Sequence, residues 1–113
     1  MVTQTYTDIE GLVLAWLERH KIVYEFQSSL LGGWYSLGGS VVDFLFPDRR
    51  LAWRIMGEYW HRGVEKTGSD LIHKELLENI GWTVVDLWES DLKDPRRLEQ
   101  AMGLALQGEE ILH

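Results

Sequence analysis

The chain has 113 residues, room for one domain with a real core and too few for two. Eighteen acidic against eleven basic side chains leave a formal charge of −7. That balance argues against a general nucleic-acid coat protein, but not against an enzyme that meets DNA through a local basic patch and a bound metal. There is no cysteine, which excludes disulfides, thiolate zinc sites and cysteine nucleophiles and fits a reducing cytosol. The opening MVTQTYTDIE has no basic segment followed by a long apolar one. No apolar stretch approaches a membrane span, so a cytoplasmic protein without a membrane partner is expected.

In chain order, Thr7-Asp8-Ile9-Glu10 carries the spacing of a capping box. Behind it Ile9, Leu12, Val13, Trp16 and Leu17 recur at helical intervals, predicting an amphipathic helix to about Lys21. Residues 22–27, IVYEFQ, are rich in β-branched and aromatic side chains and read as a strand. The stretch SSLLGGWYSLGG follows, two glycine pairs around Trp34-Tyr35, and reads as a flexible connection or distorted hairpin. Ser40 to Phe46 is a second strand, Pro47 to Arg50 a turn, and Leu51 to Gly57 a third strand in an antiparallel hairpin with the second. After a polar stretch, a helix from about Ser69 places Ile72, Leu76 and Ile80 on one face and stops at Gly81. Trp82 to Trp88 is a fourth strand, and Asp94-Pro95 caps a last helix with Leu98, Ala101, Met102 and Ala105 as its buried stripe. The tail from Gly108 is expected to fray. The order α-β-β-β-α-β-α gives a single α/β domain, a four-stranded mixed sheet flanked by helices.

Two charges interrupt apolar runs in VVDFLFPDRRLAWRIMGEYWH. Strand alternation puts Asp43 with Val41 and Leu45, and Arg54 with Ala52 and Met56, so the two could face each other across adjacent strands. An ionised carboxylate in apolar surroundings is costly unless it is paired, hydrogen-bonded or bound to metal. One reading is a buried Asp43–Arg54 salt bridge that fixes strand register. The other is a phosphodiesterase site, in which the carboxylate holds a divalent cation and a neighbouring base stabilises developing phosphate charge. Gly57-Glu58-Tyr59-Trp60-His61 follows directly, adding an acid and a group of near-neutral pKa at the strand end.

The run Val42-Asp43-Phe44, a short turn, an apolar strand and then Gly57-x-x-Trp60-His61 resembles the very-short-patch-repair endonucleases of the PD-(D/E)XK restriction-endonuclease-like superfamily. The likeness extends through Asp70 to Gly81-Trp82-x-Val84-Val85-x-x-Trp88-Glu89, and small phage and mobile-element proteins of that superfamily share the GG…GG…VVDF and GEYWH runs. The resemblance implies a restriction-endonuclease-like fold and cleavage of DNA phosphodiester bonds with Mg²⁺ or Mn²⁺, without an organic cofactor. It makes Asp43 the central metal-binding aspartate, His61 a general acid/base or water-positioning group, and Glu10 the supporting helix acid. Three departures stand out. Met56 occupies the place of a second histidine, the structural zinc cysteines are missing, and Ala52-x-Arg54 replaces an acid-x-lysine pair. A guanidinium stays charged, so Arg54 suits phosphate charge and not general-base work. Glu58 would then supply the missing carboxylate together with Glu10.

Each of these residues has a plainer role beside the functional one. Glu10 can be the capping-box acid alone, Glu58 a solvated acid, Asp70 a stabiliser of a helix N-terminus, and Gln27 a backbone partner. Trp34 and Tyr35 could stack on bases or pack against a second subunit. Arg49, Arg50, Arg62 and Lys66, with Arg96-Arg97, could form a phosphate-facing patch or only a solvated face. The expected function is a metal-dependent DNA endonuclease, acting as a homodimer to cut both strands. The alternative is a nuclease-fold protein with a decayed catalytic set, serving as a DNA-binding or homodimeric scaffold. An RNA-directed nuclease would carry the same residues.

Overall fold

The computed structural model describes residues 6–28, 35–37, 40–57, 72 and 74–110. Helix α1 spans Asp8–Arg19 and begins with the expected capping box: Glu10 N–H donates to Thr7 Oγ1 at 3.1 Å, and Thr7 N–H to Glu10 Oε1 at 2.9 Å. Its buried face, Val13, Trp16 and Leu17, lies on the sheet. Strand β1 is only Glu25–Phe26, shorter than the six residues expected. Its partner β4, Phe44–Phe46, is three residues long, and Pro47 ends it by removing an N–H. Strands β2 (Tyr35–Leu37) and β3 (Ser40–Val42) pair as a separate antiparallel ribbon.

The expected second strand is therefore two strands, β3 and β4, broken at Asp43. The break also shifts the alternation. Phe44 and Phe46 join one side of the sheet, while Val42 and Leu45 both join the other, where strict alternation would have grouped Val42 with the phenylalanines. A single 3₁₀ turn, Pro47–Arg49, leads through a left-handed Arg50 (φ 49°) into β5, Leu51–Met56. The helical residues 74–79, α2, end at Gly81, whose φ of 95° suits glycine. Gly81 N–H donates to Glu78 O, and Trp82 N–H to Leu77 O. Then come β6 (Thr83–Trp88), a short α3 (Glu89–Leu92) and α4 (Pro95–Leu106), with Asp94 accepting from Arg96 N–H at its cap.

The main sheet runs β1-β4-β5-β6, antiparallel except for the parallel β5–β6 pair. The four-stranded mixed sheet flanked by helices is thus present. One face packs Phe44, Phe46, Leu51, Trp53, Val85 and Leu87 against α1, α3 and α4, and Trp53 Nε1–H donates to Ala105 O at 3.1 Å. The other face packs Val42, Leu45, Ala52 and Val84 against Leu77 of α2. Burying each large apolar side chain contributes roughly 1.5–3 kcal/mol. On α2 the buried residue is Leu77, whereas Ile72, Leu76 and Ile80 are 59%, 45% and 58% exposed. Residues 108–110, expected to fray, are tied back: Gly108 N–H donates to Ala105 O and Glu109 N–H to Leu104 O. Among the described residues no helix is long and apolar enough to cross a membrane.

Candidate functional site

Asp43 occupies the point where the β4–β5 ladder stops. Its backbone N–H still donates to Trp53 O at 3.0 Å, but its carboxylate takes the next donor of β5, accepting Ile55 N–H on Oδ2 at 2.9 Å. An aspartate suits this break because a short side-chain acceptor can stand in for the strand carbonyl that the bend removes. The side chain is 5% exposed, and its second oxygen, Oδ1, is buried with no hydrogen-bond donor.

Glu10 of α1 faces it. Glu10 is fully buried, and its Oε1 accepts from Thr7 N–H and, at 2.6 Å, from the hydroxyl of buried Ser28. The capping-box acid is therefore also the carboxyl that neighbours Asp43. With both groups ionised, no donor lies between them, which leaves Oδ1 orphaned. A proton or a cation satisfies both. Asp43 accordingly has its pKa raised from 3.8 to about 7. Burial is the main cause and the Glu10 carboxyl adds to it, while the Ile55 N–H and Arg54 pull the other way.

Arg54 does not pair with Asp43. Its guanidinium grips Asp86 in a bidentate bridge, Nε to Oδ1 at 2.6 Å and Nη2 to Oδ2 at 2.9 Å, and both side chains are largely buried. The reason is register. Arg54 and Asp86 are direct neighbours in the parallel β5–β6 pair, on the α2 side with Ala52 and Val84. Asp43 leaves the pleat at its bend and meets α1 instead. The buried salt bridge of Arg54 is thus with Asp86 and not with Asp43. Asp86 was open to the argument that singled out Asp43, since it too is a lone carboxylate in an apolar run, TVVDLW. Ser28 had no such signal.

Gln27 flanks the site through its backbone, donating N–H to Asp43 O at 3.2 Å. Arg49 and Arg50 are exposed on the turn at the far end of β4, about 10 Å of strand away from Asp43. Tyr35 is placed by its backbone in β2, opposite Val42. Trp34, Glu58, His61, Arg62, Lys66 and Asp70 lie outside the described residues. Among those described, no group of three or more His, Cys, Asp or Glu side chains converges.

The donors fit a hard divalent cation in kind: two carboxylates, one with an orphaned oxygen, beside a hydroxyl. No family model and no solved structure matches the chain. Two uncharacterized proteins of Mycobacterium tuberculosis, from strains CDC 1551 / Oshkosh and ATCC 25618 / H37Rv, are each 36% identical to it over 58 residues. The matched stretch is 50% of this chain and 21% of each relative, so the chain spans about a fifth of the length of these curated relatives.

Proposed function

We propose that this chain is a restriction-endonuclease-like domain that hydrolyses DNA phosphodiester bonds with Mg²⁺ or Mn²⁺. One observation carries the reading: α1 and the break between β3 and β4 bring Glu10 and Asp43 together in a buried pair with an unsatisfied oxygen. These two acids come from segments 33 positions apart, and the resemblance makes Asp43 the central metal-binding aspartate and Glu10 the supporting helix acid. Two facing buried carboxylates with an unsatisfied oxygen cost stability unless a proton or a cation lies between them.

In this reading Glu10 and Asp43 hold the cation, and Ser28 and Thr7 keep Glu10 turned toward it. When bound, the cation supplies Lewis-acid stabilisation of phosphate charge. Arg54, fixed by Asp86, adds a permanent positive charge behind Asp43 and takes no proton. His61 orients or deprotonates the attacking water. The protein acts in the cytoplasm, and a homodimer brings a second centre to the opposite DNA strand.

The test is nicking of supercoiled plasmid by purified protein with Mg²⁺ or Mn²⁺. Asp43→Ala should abolish nicking. Glu10→Gln, which can still complete the capping box, should reduce it strongly while α1 stays folded. Nicking that persists in Asp43→Ala refutes the assignment. A second reading, a nuclease-fold protein with a decayed catalytic set that binds DNA without cutting it, is favoured by the Arg54–Asp86 bridge, which commits the strand base to a structural partner. It predicts DNA retention without nicking, and calorimetry in which Mn²⁺ binding is indifferent to Asp43.

A further inference from the structure

Strand β6 ends the main sheet, and among the described residues its outer edge has no strand partner. Thr83 N–H points inward, to Arg50 O at 2.9 Å, so alternation turns the N–H groups of Val84 and Asp86 outward. The Asp86 N–H is met by a side chain: Glu110 Oε1 accepts it at 2.8 Å, and the same oxygen accepts from Lys74 Nζ of α2 at 2.6 Å. One oxygen in line with an outward strand N–H stands where the carbonyl of an added strand would stand.

The approach of the tail supports this comparison. Gly108 lies against Thr83, so closely that a Cβ there would come within 2.9 Å of Thr83 Cγ2, and Glu110 reaches Asp86. Residues 108–110 therefore follow β6 in its own direction. A cavity of about 470 Å³ opens beside them, lined by Lys74, Glu78, Thr83, Val84 and the tail itself. The edge thus has room for a backbone beside Val84, and its Asp86 position is held by one partly exposed carboxylate. The Lys74–Glu110 pair is 21% and 30% exposed, so a second carboxylate can reach Lys74 from solvent.

We propose that the outer edge of β6 is a docking site for an extended peptide segment, and that Glu110 guards it by imitating that segment's carbonyl. The occupant is a strand from another protein that carries one acidic side chain. Its backbone carbonyl takes the Asp86 N–H, the carbonyl two residues along takes the Val84 N–H, and its acid replaces Glu110 on Lys74. The site is separate from the Glu10–Asp43 pair, so it stands whether or not the chain cuts DNA. Left unguarded, such an edge would accept strands without selection, and a charged residue over it is the usual protection.

The probe is an acetylated, amidated nonapeptide of alternating threonine and valine with one central glutamate, titrated into the full chain and read by amide hydrogen exchange at Val84 and Asp86. In Glu110→Ala, peptide should bind about ten-fold more tightly than in wild type, because the competing carboxylate is gone. Both amides should then become protected. Glu110→Gln, which keeps the side-chain shape but loses the pull of Lys74, should fall between and carries the test if the alanine variant does not fold. A peptide with glutamine at its centre should bind more weakly to all three proteins. Equal affinity for wild type and variants overturns the guard, and absence of peptide-dependent protection at Val84 and Asp86 overturns the docking site. Protection that needs no peptide and grows with protein concentration gives the edge to a second copy of the chain and overturns the peptide assignment.

Discussion

Replacing Asp43 with asparagine should stabilise the protein at neutral and alkaline pH. In the folded chain the Asp43 pKa rises from 3.8 to about 7, chiefly through burial and then through the facing Glu10 carboxyl. The folded state therefore holds the proton more tightly than the unfolded one. The contribution to stability is complete below pH 3.8 and is lost as pH climbs to about 7. At roughly 1.4 kcal/mol per pH unit, the loss amounts to about 4 kcal/mol by pH 8. Asparagine avoids it. Its carbonyl oxygen can accept the Ile55 N–H, and its amide can donate into the space where Oδ1 now lacks a donor. Urea unfolding of both proteins between pH 4.5 and 8 checks this. The difference should be small at pH 4.5 and widen in favour of the variant as pH rises. A variant less stable than wild type at pH 8, or a difference that does not change with pH, would refute the account of a strained acid pair.

Three further outcomes follow from the same geometry. Mn²⁺ at a hundred times its dissociation constant should stabilise wild type by about 2.7 kcal/mol, a gain erased by chelator and absent from Asp43→Asn in thermal melts. Asp86→Asn should cost about 3–5 kcal/mol by removing the buried negative charge that the Arg54 guanidinium grips, and the double replacement Arg54→Met, Asp86→Leu should recover most of the loss in urea titrations. Gly81→Ala should cost about 1–2 kcal/mol in the same assay, since φ is 95° and the added Cβ would sit 3.1 Å from Arg50 Nη1.

Local signals carried most of the fold. The Thr7–Glu10 capping box, the Asp94-Pro95 cap, the Gly81 stop and the β4–β5 hairpin are set by residues a few positions apart, and each stands where the sequence placed it. What depends on distant pairing was harder to read. Periodicity could not tell that Ser40 to Phe46 breaks at Asp43, because the break is made by an acceptor reaching Ile55 twelve residues on. The four residues of α3 are too few to show a helical period. At the site, the sequence singled out Asp43, Glu10, Arg54, Glu58 and His61; of the three that are described, the structure sets Glu10 against Asp43 and gives Arg54 to Asp86. The pairing of Arg54 with Asp86 had no signal of its own, because the parallel register of β5 and β6 is fixed through a long crossover and leaves no short-range trace. Arg49 and Arg50, neighbours of the site in sequence, are carried away from it by the hairpin.

Glu10 links the beginning of a helix to the centre of the molecule. One of its oxygens holds the Thr7 amide, which starts α1, and the Ser28 hydroxyl, which anchors the chain after β1. Melting a single turn would therefore withdraw the acid from Asp43 and from the Ser28 hydroxyl in one motion. Loss of order at this end of α1 and loss of the acid pair should be one event, with no folded intermediate that keeps one and lacks the other.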